Sequence, residues 1–434
     1  MPDGAPREET AAAPRPGRVA AAVRGLALDV GPLRESRDFR LLWSGQLVAL
    51  TGQQITAVAV PWQVYHLTRS TLDVGMIGLV QLAVMIPAGL YGGTLADRHD
   101  RRRVMLLAQT GAAAATAMLL AGTLMTRTPL WYLYLAAALT AGLLALQGPS
   151  RTASTPTLVS RRRLPAALAL NQVMFNATVI VGPGVGGLLI ALGLRWAYGA
   201  DLVAFAISVS AVLALRPLRP RREDGDQAPA RGAAAIVQGL RFLRGRPVLI
   251  STFGIDLIAM VFGMPRAVFP AMAATVFHAG PVGYGMLVGA VGAGGLVGAL
   301  TSGWIGGIRR QGLAVVAAVV VWGAAITGFG LARGSFPLAL LLLAVAGGAD
   351  MVSAVFRSTI LQLAVPDSLR GRLSAVHQVV VTGGPRLGDV ETGIVAQLTS
   401  PMVAVVSGGL ACVAGALILA AAVPGLPRHR SDHE

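Results

Sequence analysis

The eleven residues from Gly93 to Arg103, GTLADRHDRRR, stand between two long apolar stretches, and no other segment constrains the chain so tightly. Asp97, Arg98, Asp100, Arg101, Arg102 and Arg103 fall within seven positions. A charge at bilayer depth costs roughly 2.5 to 3.5 kcal/mol even on the lenient insertion scale, so the segment has to be a tight loop in water between two membrane helices. Composition agrees, since 54% of the 434 residues are hydrophobic and 13% charged, where a soluble domain carries about a quarter charged. The chain reads as a polytopic membrane protein.

About twenty apolar residues cross a bilayer, and twelve such stretches are present. The first six run near Leu41–Tyr65, Leu72–Ala96, Val104–Met125, Leu130–Ser150, Pro165–Leu192 and Trp196–Leu215. The second six run near Pro247–Phe277, Val282–Ile308, Leu313–Ala332, Phe336–Val365, Leu373–Leu398 and Pro401–Val423. The expected organisation is a disordered cytoplasmic tail (1–37), a six-helix half (38–215), a cytoplasmic linker with a basic amphipathic stretch (216–246), a second six-helix half (247–424) and a short tail (425–434). The fold class is an all-α membrane protein of twelve helices in two pseudo-symmetric halves.

Every basic residue is arginine. With both termini inside, 29 of the 36 arginines fall on inner segments, four on outer loops (Arg69, Arg127, Arg195, Arg333) and three within spans. The positive-inside rule therefore puts both ends in the cytoplasm. The net charge of +16 follows the membrane loops, not one soluble face, which argues against nucleic acid. Without lysine there is no phosphate-cradling GxxxxGK[ST] loop, which excludes an ATP-driven pump in this single chain. Cys412 stands alone and the six histidines lack ligand spacing, so neither a disulfide nor a metal site is expected.

Gly93, Asp97, Arg98, Arg101 and Arg102 match the G-x-x-x-D-R/K-x-G-R-R/K loop of the major facilitator superfamily, which this chain resembles from about residue 38 to 424. Asp100 stands where that loop has glycine. The resemblance implies a cytoplasmic latch that breaks as the transporter switches, and the plain alternative is a positive-inside anchor. Gly182, Pro183, Gly186 and Gly187 resemble the G-P-x-x-G-G element of superfamily exporters and antiporters, with Thr178 replacing a further glycine. These residues give span five a kinkable, flat face for span eight, where Gly285 and Gly289, then Gly294 and Gly298, stand at small-xxx-small spacing; packing without gating is the alternative. FRLLWSGQ at Phe39, PDSLRGR at Pro366 and GGPRLGD at Gly383 narrow the resemblance to a bacterial drug and siderophore efflux branch.

Ionisable residues inside spans are functional candidates by default. Asp256 lies near mid-membrane with no arginine within a turn and heads the candidates for proton exchange, with Glu391 second and Asp350 and Asp389 beside them. Arg357, Arg386 and Arg266 are the partner charges: Arg386 and Asp389 are one turn apart, and Asp350 and Arg357 two turns apart on one face. Gln53, Gln54, Gln147 and Asn176 offer hydrogen bonds to a cavity, or glue between helices. The resemblance places that cavity among spans one, four, seven and ten. It also implies an acid after Gly52 and an arginine before Gln147, where this chain has Gln53 and Leu144.

The expected activity is alternating-access export of an amphipathic small molecule, a siderophore, antibiotic or other drug-like compound, in exchange for protons. One proton through ~100 mV supplies about 2.3 kcal/mol, enough for a roughly fortyfold gradient at ~1.4 kcal/mol per tenfold. The partners are substrate, protons and membrane lipids, with no cofactor, the chain acting as a monomer in a bacterial cell membrane. An uptake or facilitated-diffusion permease on the same fold, and a sensor that no longer transports, are the rival readings.

Overall fold

The computed structural model describes residues 29–219, 237–238, 241–364 and 367–428, without the side chains of 364, 367–372, 374 and 375. The expected tail before residue 29, residues 220–236, 239 and 240 of the linker, Pro366 and the last six residues lie outside this description. All regular structure among the described residues is helical. It comprises α1 (Arg37–Thr68), α2 (Thr71–Arg98), α3 (Arg101–Gly122), α4 (Leu130–Leu158), α5 (Leu164–Leu192) and α6 (Leu194–Leu213), then α7 (Pro247–Phe262, continued by short turns to Val276), α8 (Gly280–Leu300), α9 (Gln311–Leu331), α10 (Phe336–Ala364), α11 (Asp367–Leu398) and α12 (Pro401–Ala422).

Ten of these segments are long and apolar enough to cross a membrane by length and composition. The other two, α1 and α11, are 32 residues each. Gln53, Gln54 and Gln63 dilute the first, and Arg386, Asp389 and Glu391 the second, which is the expected composition of helices that face water or each other inside a bilayer. Serine caps start three of the helices, α1, α2 and α12: Ser36, Ser70 and Ser400 each accept the N–H three residues on, at 3.1 to 3.2 Å. Leu107, Leu124, Leu300 and Leu398 are exposed on the outer surface, as lipid-facing residues must be, and Trp131, Trp196 and Trp304 sit exposed at helix ends, where interfacial anchors belong.

The helix pairing repeats. In the first six helices α1 packs on α5 and α6, α3 on α4 and α6, and α2 on α4; shifted by six, α7 packs on α11 and α12, α9 on α10 and α12, and α8 on α10. Two further pairs, α2 with α11 and α5 with α8, join the sets and are themselves related by the same shift. They meet at the end away from the arginine-rich loops, where Gly75 and Gly78 touch Arg386 and Asp389 and the Thr71 hydroxyl donates to the Gly393 carbonyl at 3.1 Å.

α7 is discontinuous. It stops at Phe262, runs irregularly through Gly263, Met264 and Pro265, and resumes as a single turn at Arg266–Val268 before a wide turn at Met272–Val276. Pro265 offers no N–H to continue the ladder, and the Gly263 carbonyl is satisfied by the Trp322 indole N–H at 2.8 Å. Irregular backbone at membrane depth survives only where protein or a wet cavity covers it.

Candidate functional site

A cavity of about 570 Å³ lies between the two helix sets, within the range that holds drug-sized ligands. It extends from Pro61 and Tyr284 at the joined end to Gln172 and Ala299 near the arginine-rich end. Its walls come from α1, α2 and α5 on one side and α7, α8, α10 and α11 on the other. Apolar surface from Phe175, Phe269, Met264 and Met351 is set beside Gln54, Gln172 and Asn176 and four charged groups, Arg266, Asp350, Arg386 and Asp389.

The expectation that span four lines this cavity needs correction. No residue of α4 reaches it: Leu146 packs against Gly92 of α2, and Gln147 is buried within the first set with its amide oxygen unpartnered. Gln53 does not line the cavity either, whereas Gln54, one position on, does. Gln172, which donates to the Asn176 side chain at 3.1 Å, joins Gln54 and Asn176 in the polar wall.

The structure gathers three of the intramembrane charges into one cluster and two more into a pair. Arg357 Nη1 lies 2.8 Å from Asp256 Oδ1, with both side chains at most 3% exposed, and Arg357 Nη2 lies 3.8 Å from Asp350 Oδ1. Neither oxygen of Asp256 has a hydrogen-bond partner among the described residues, so charge alone holds that pair. Asp350 opens to the cavity and Asp256 does not. His377 of α11 is within electrostatic range of Asp256 and packs edge-on to Phe253. Arg386 Nη1 and Asp389 Oδ2 are 3.9 Å apart, as their one-turn spacing requires. Glu391 lies outside the cavity wall and accepts from the Thr392 hydroxyl at 3.2 Å.

The joined end is sealed by packing. Trp62 of α1 stacks on Tyr284 of α8 with ring centroids 5.8 Å apart, and on His66 at 6.1 Å. Below them a side chain at Gly187 would meet the Pro281 carbonyl at 2.7 Å, and one at Gly285 would overlap the Pro183 carbonyl, so α5 and α8 touch backbone to backbone. Gly182 and Gly186 face α1 instead, against Gln54, Ile55 and Val58. Gly294 and Gly298, expected on α5, face Ala344 and Gly348 of α10.

At the arginine-rich end Arg101 donates from Nη1 to the Ala153 carbonyl of α4 at 2.9 Å, and Arg102 from Nε and Nη2 to the Val212 and Leu213 carbonyls of α6 at 3.2 and 2.5 Å. These arginines tie three helices of the first set together, Arg102 capping the C-terminal turn of α6 and Arg101 bonding α4 five residues before its end. Asp97 and Arg98 are exposed, and Gly93 has no neighbour within 4 Å of an added side chain. Asp100, the departure from the loop pattern, caps α3 through the Arg102 N–H at 3.0 Å and holds the Leu218 N–H at 2.9 Å.

One buried acid, near the start of span six in the sequence, stands outside the candidates above. Asp201 is fully buried on α6, with Oδ2 accepting from the Thr56 and Thr116 hydroxyls at 2.6 and 3.0 Å, Oδ1 unpartnered and Gly52 opposite. The helix begins at Leu194, before the expected start at Trp196, so Asp201 lies about two turns in.

The profile of one family, described as transmembrane secretion effectors, matches residues 28–432. The enterobactin exporter EntS of Citrobacter koseri is 28% identical over 407 residues, 93% of this chain and 96% of that protein, and its counterpart in Shigella boydii serotype 18 is 27% identical over 397 residues, 90% and 93%. Among solved structures, nucleoside transporter NupG superposes with a TM-score of 0.67 at 13% identity, covering 89% of this chain and 98% of that one. A bacterial homologue of the iron transporter ferroportin in an inward-facing state gives 0.65 at 17%, covering 90% and 98%. The all-α transporter fold expected from sequence is therefore the fold observed, and the chain belongs to the transmembrane secretion effectors of the major facilitator superfamily, multi-pass membrane transporters rather than enzymes.

Proposed function

We propose that this protein exports an amphipathic small molecule, a siderophore, antibiotic or other drug-like compound, by alternating access in exchange for protons. It would do so from a bacterial cell membrane, as a monomer with both termini cytoplasmic. The observation that carries the reading is the central cavity: sealed at one end by Trp62, Tyr284 and the α5–α8 glycines, it extends toward the arginine-rich loops with Asp350 and Asp389 in its walls. If those loops face the cytoplasm, as positive-inside bias requires, the cavity loads from inside. Relatives named as exporters of enterobactin support the outward direction.

Two bodies, 38–215 and 247–424, rock about the cavity in this scheme, and the seal at one end opens as the other closes. Asp350 and Asp389 hold protons in exchange, because they alone among the intramembrane acids of the second set reach the cavity. Asp256 acts by positioning Arg357. Gly93, Asp97, Arg98, Arg101 and Arg102 form the cytoplasmic gate.

The test is counterflow in sealed vesicles containing the purified protein and the metabolite that a deletion strain fails to secrete. An imposed pH gradient should drive that metabolite against its own concentration gradient, and the Asp350→Asn, Asp389→Asn double variant should only equilibrate it. Equilibration by the wild type would identify a permease, and no movement at all would identify a non-transporting protein.

A further inference from the structure

We propose that the guanidinium of Arg266 receives an anionic group of the substrate, so that this transporter selects organic acids over neutral molecules of the same size. The proposal rests on the reading of the central cavity as the transport site.

Arg266 differs from the other two intramembrane arginines. Arg357 has two carboxylates within 4 Å and Arg386 has one, whereas Arg266, exposed in the cavity wall, makes neither an ion pair nor a side-chain hydrogen bond among the described residues. An arginine at membrane depth is costly without a partner; here water in the cavity solvates it until a ligand does. Its place is fixed by the broken part of α7. The Trp322 indole anchors Gly263, the Arg266 N–H donates to the Met264 carbonyl at 2.8 Å, and the next two residues, Ala267 and Val268, are buried. The side chain therefore hangs from a rigid turn, and its planar fork suits a carboxylate or another oxyanion better than a point charge would. Phe175 and Met351 in the same wall offer apolar surface to the rest of such a molecule.

The acids of the cavity do not compete for the opposite role. Asp350 and Asp389 lie 3.8 and 3.9 Å from Arg357 and Arg386 and neither comes within 4 Å of Arg266, so the guanidinium in the wall without a carboxylate contact among the described residues is that of Arg266. An anion on Arg266 and a proton on a carboxylate neutralise opposite charges and do not exclude each other electrostatically; exclusion comes from the substrate filling the space beside Asp350. A one-for-one exchange of a proton for a monovalent anion then moves two charges per turnover, where a neutral substrate moves one.

The experiment is equilibrium binding of three fluorescent probes on one scaffold to the full-length protein in neutral-lipid nanodiscs: dansylglycine (anionic), dansylamide (neutral) and dansylcadaverine (cationic). The wild type should bind dansylglycine at least tenfold tighter than dansylamide. Arg266→Gln should remove that preference and leave dansylamide within twofold of its wild-type affinity, which also reports an intact cavity, and Arg266→Lys should restore part of it. A wild type without anion preference, an Arg266→Gln variant that keeps it, or equal loss of all three probes in both variants overturns the proposal. Binding requires no pH gradient, so failure of proton-driven export with this pattern intact would sink the exchange mechanism and leave the role of Arg266 standing.

Discussion

Arg357 is the residue on which the buried charges depend. It is the cation within 4 Å of both Asp256 and Asp350, and removing one member of a buried pair strands the other, at about 3 to 5 kcal/mol. Arg357→Gln should therefore lower stability in detergent by that amount, and adding Asp256→Asn should recover more than half of it. Thermal unfolding of the three proteins measures both. Asp201 makes the complementary case: its hydroxyl donors satisfy one oxygen, so Thr56→Val should cost about 1 to 3 kcal/mol, while Asp201→Asn, which keeps an acceptor, should cost less. Asp201 apart, the sequence at this scale revealed every intramembrane charge, because ionisable residues in hydrocarbon stand out on composition alone. It did not reveal which of them share a partner. The Asp256–Arg357 pair joins positions about a hundred residues apart, and no periodicity within one helix reports that.

Helix by helix, small residues predict close approach without naming the neighbour. Gly285 meets α5 and Gly294 meets α10, although both stand in the same glycine-rich run, since a helix turns a different face to each flank. Gly285→Leu should consequently prise α5 from α8 and abolish export while leaving expression and cavity-probe binding in place; transport assays beside size-exclusion profiles check this. Asp100 has a different lesson. In the loop pattern it only stands in place of a glycine, yet it caps α3 and pins Leu218, so Asp100→Ala should cost about 0.5 to 2 kcal/mol and loosen the chain after α6, measured as faster amide exchange there. The break in α7 left a fainter trace, with Gly263 and Pro265 bracketing it, but an apolar run of thirty residues conceals a change of backbone that its partners, not its own pattern, stabilise.

The whole molecule repeats its helix pairing after six helices, and that repeat explains both what was legible and what was not. Twelve apolar runs and an arginine bias identify the fold class, because a bilayer admits few alternatives. Which helices line the space between the sets depends on how far apart they stand, and α4 lies back from the cavity behind α2. A state joined at one end and open toward the other implies a counterpart with the ends exchanged. Spin labels at Arg162 and Arg309 would report the arginine-rich end and labels at Arg127 and Arg333 the opposite end, all four being exposed; replacing Cys412, the sole cysteine, first removes the background thiol. Distances between each pair, measured in lipid at pH 5.5 and pH 8, test the proposed exchange most directly. Alternating access coupled to protons predicts that one pair shortens as the other lengthens and that the Asp350→Asn, Asp389→Asn variant loses the pH response. Two pairs that move together, or distances that ignore pH in the wild type, would contradict it.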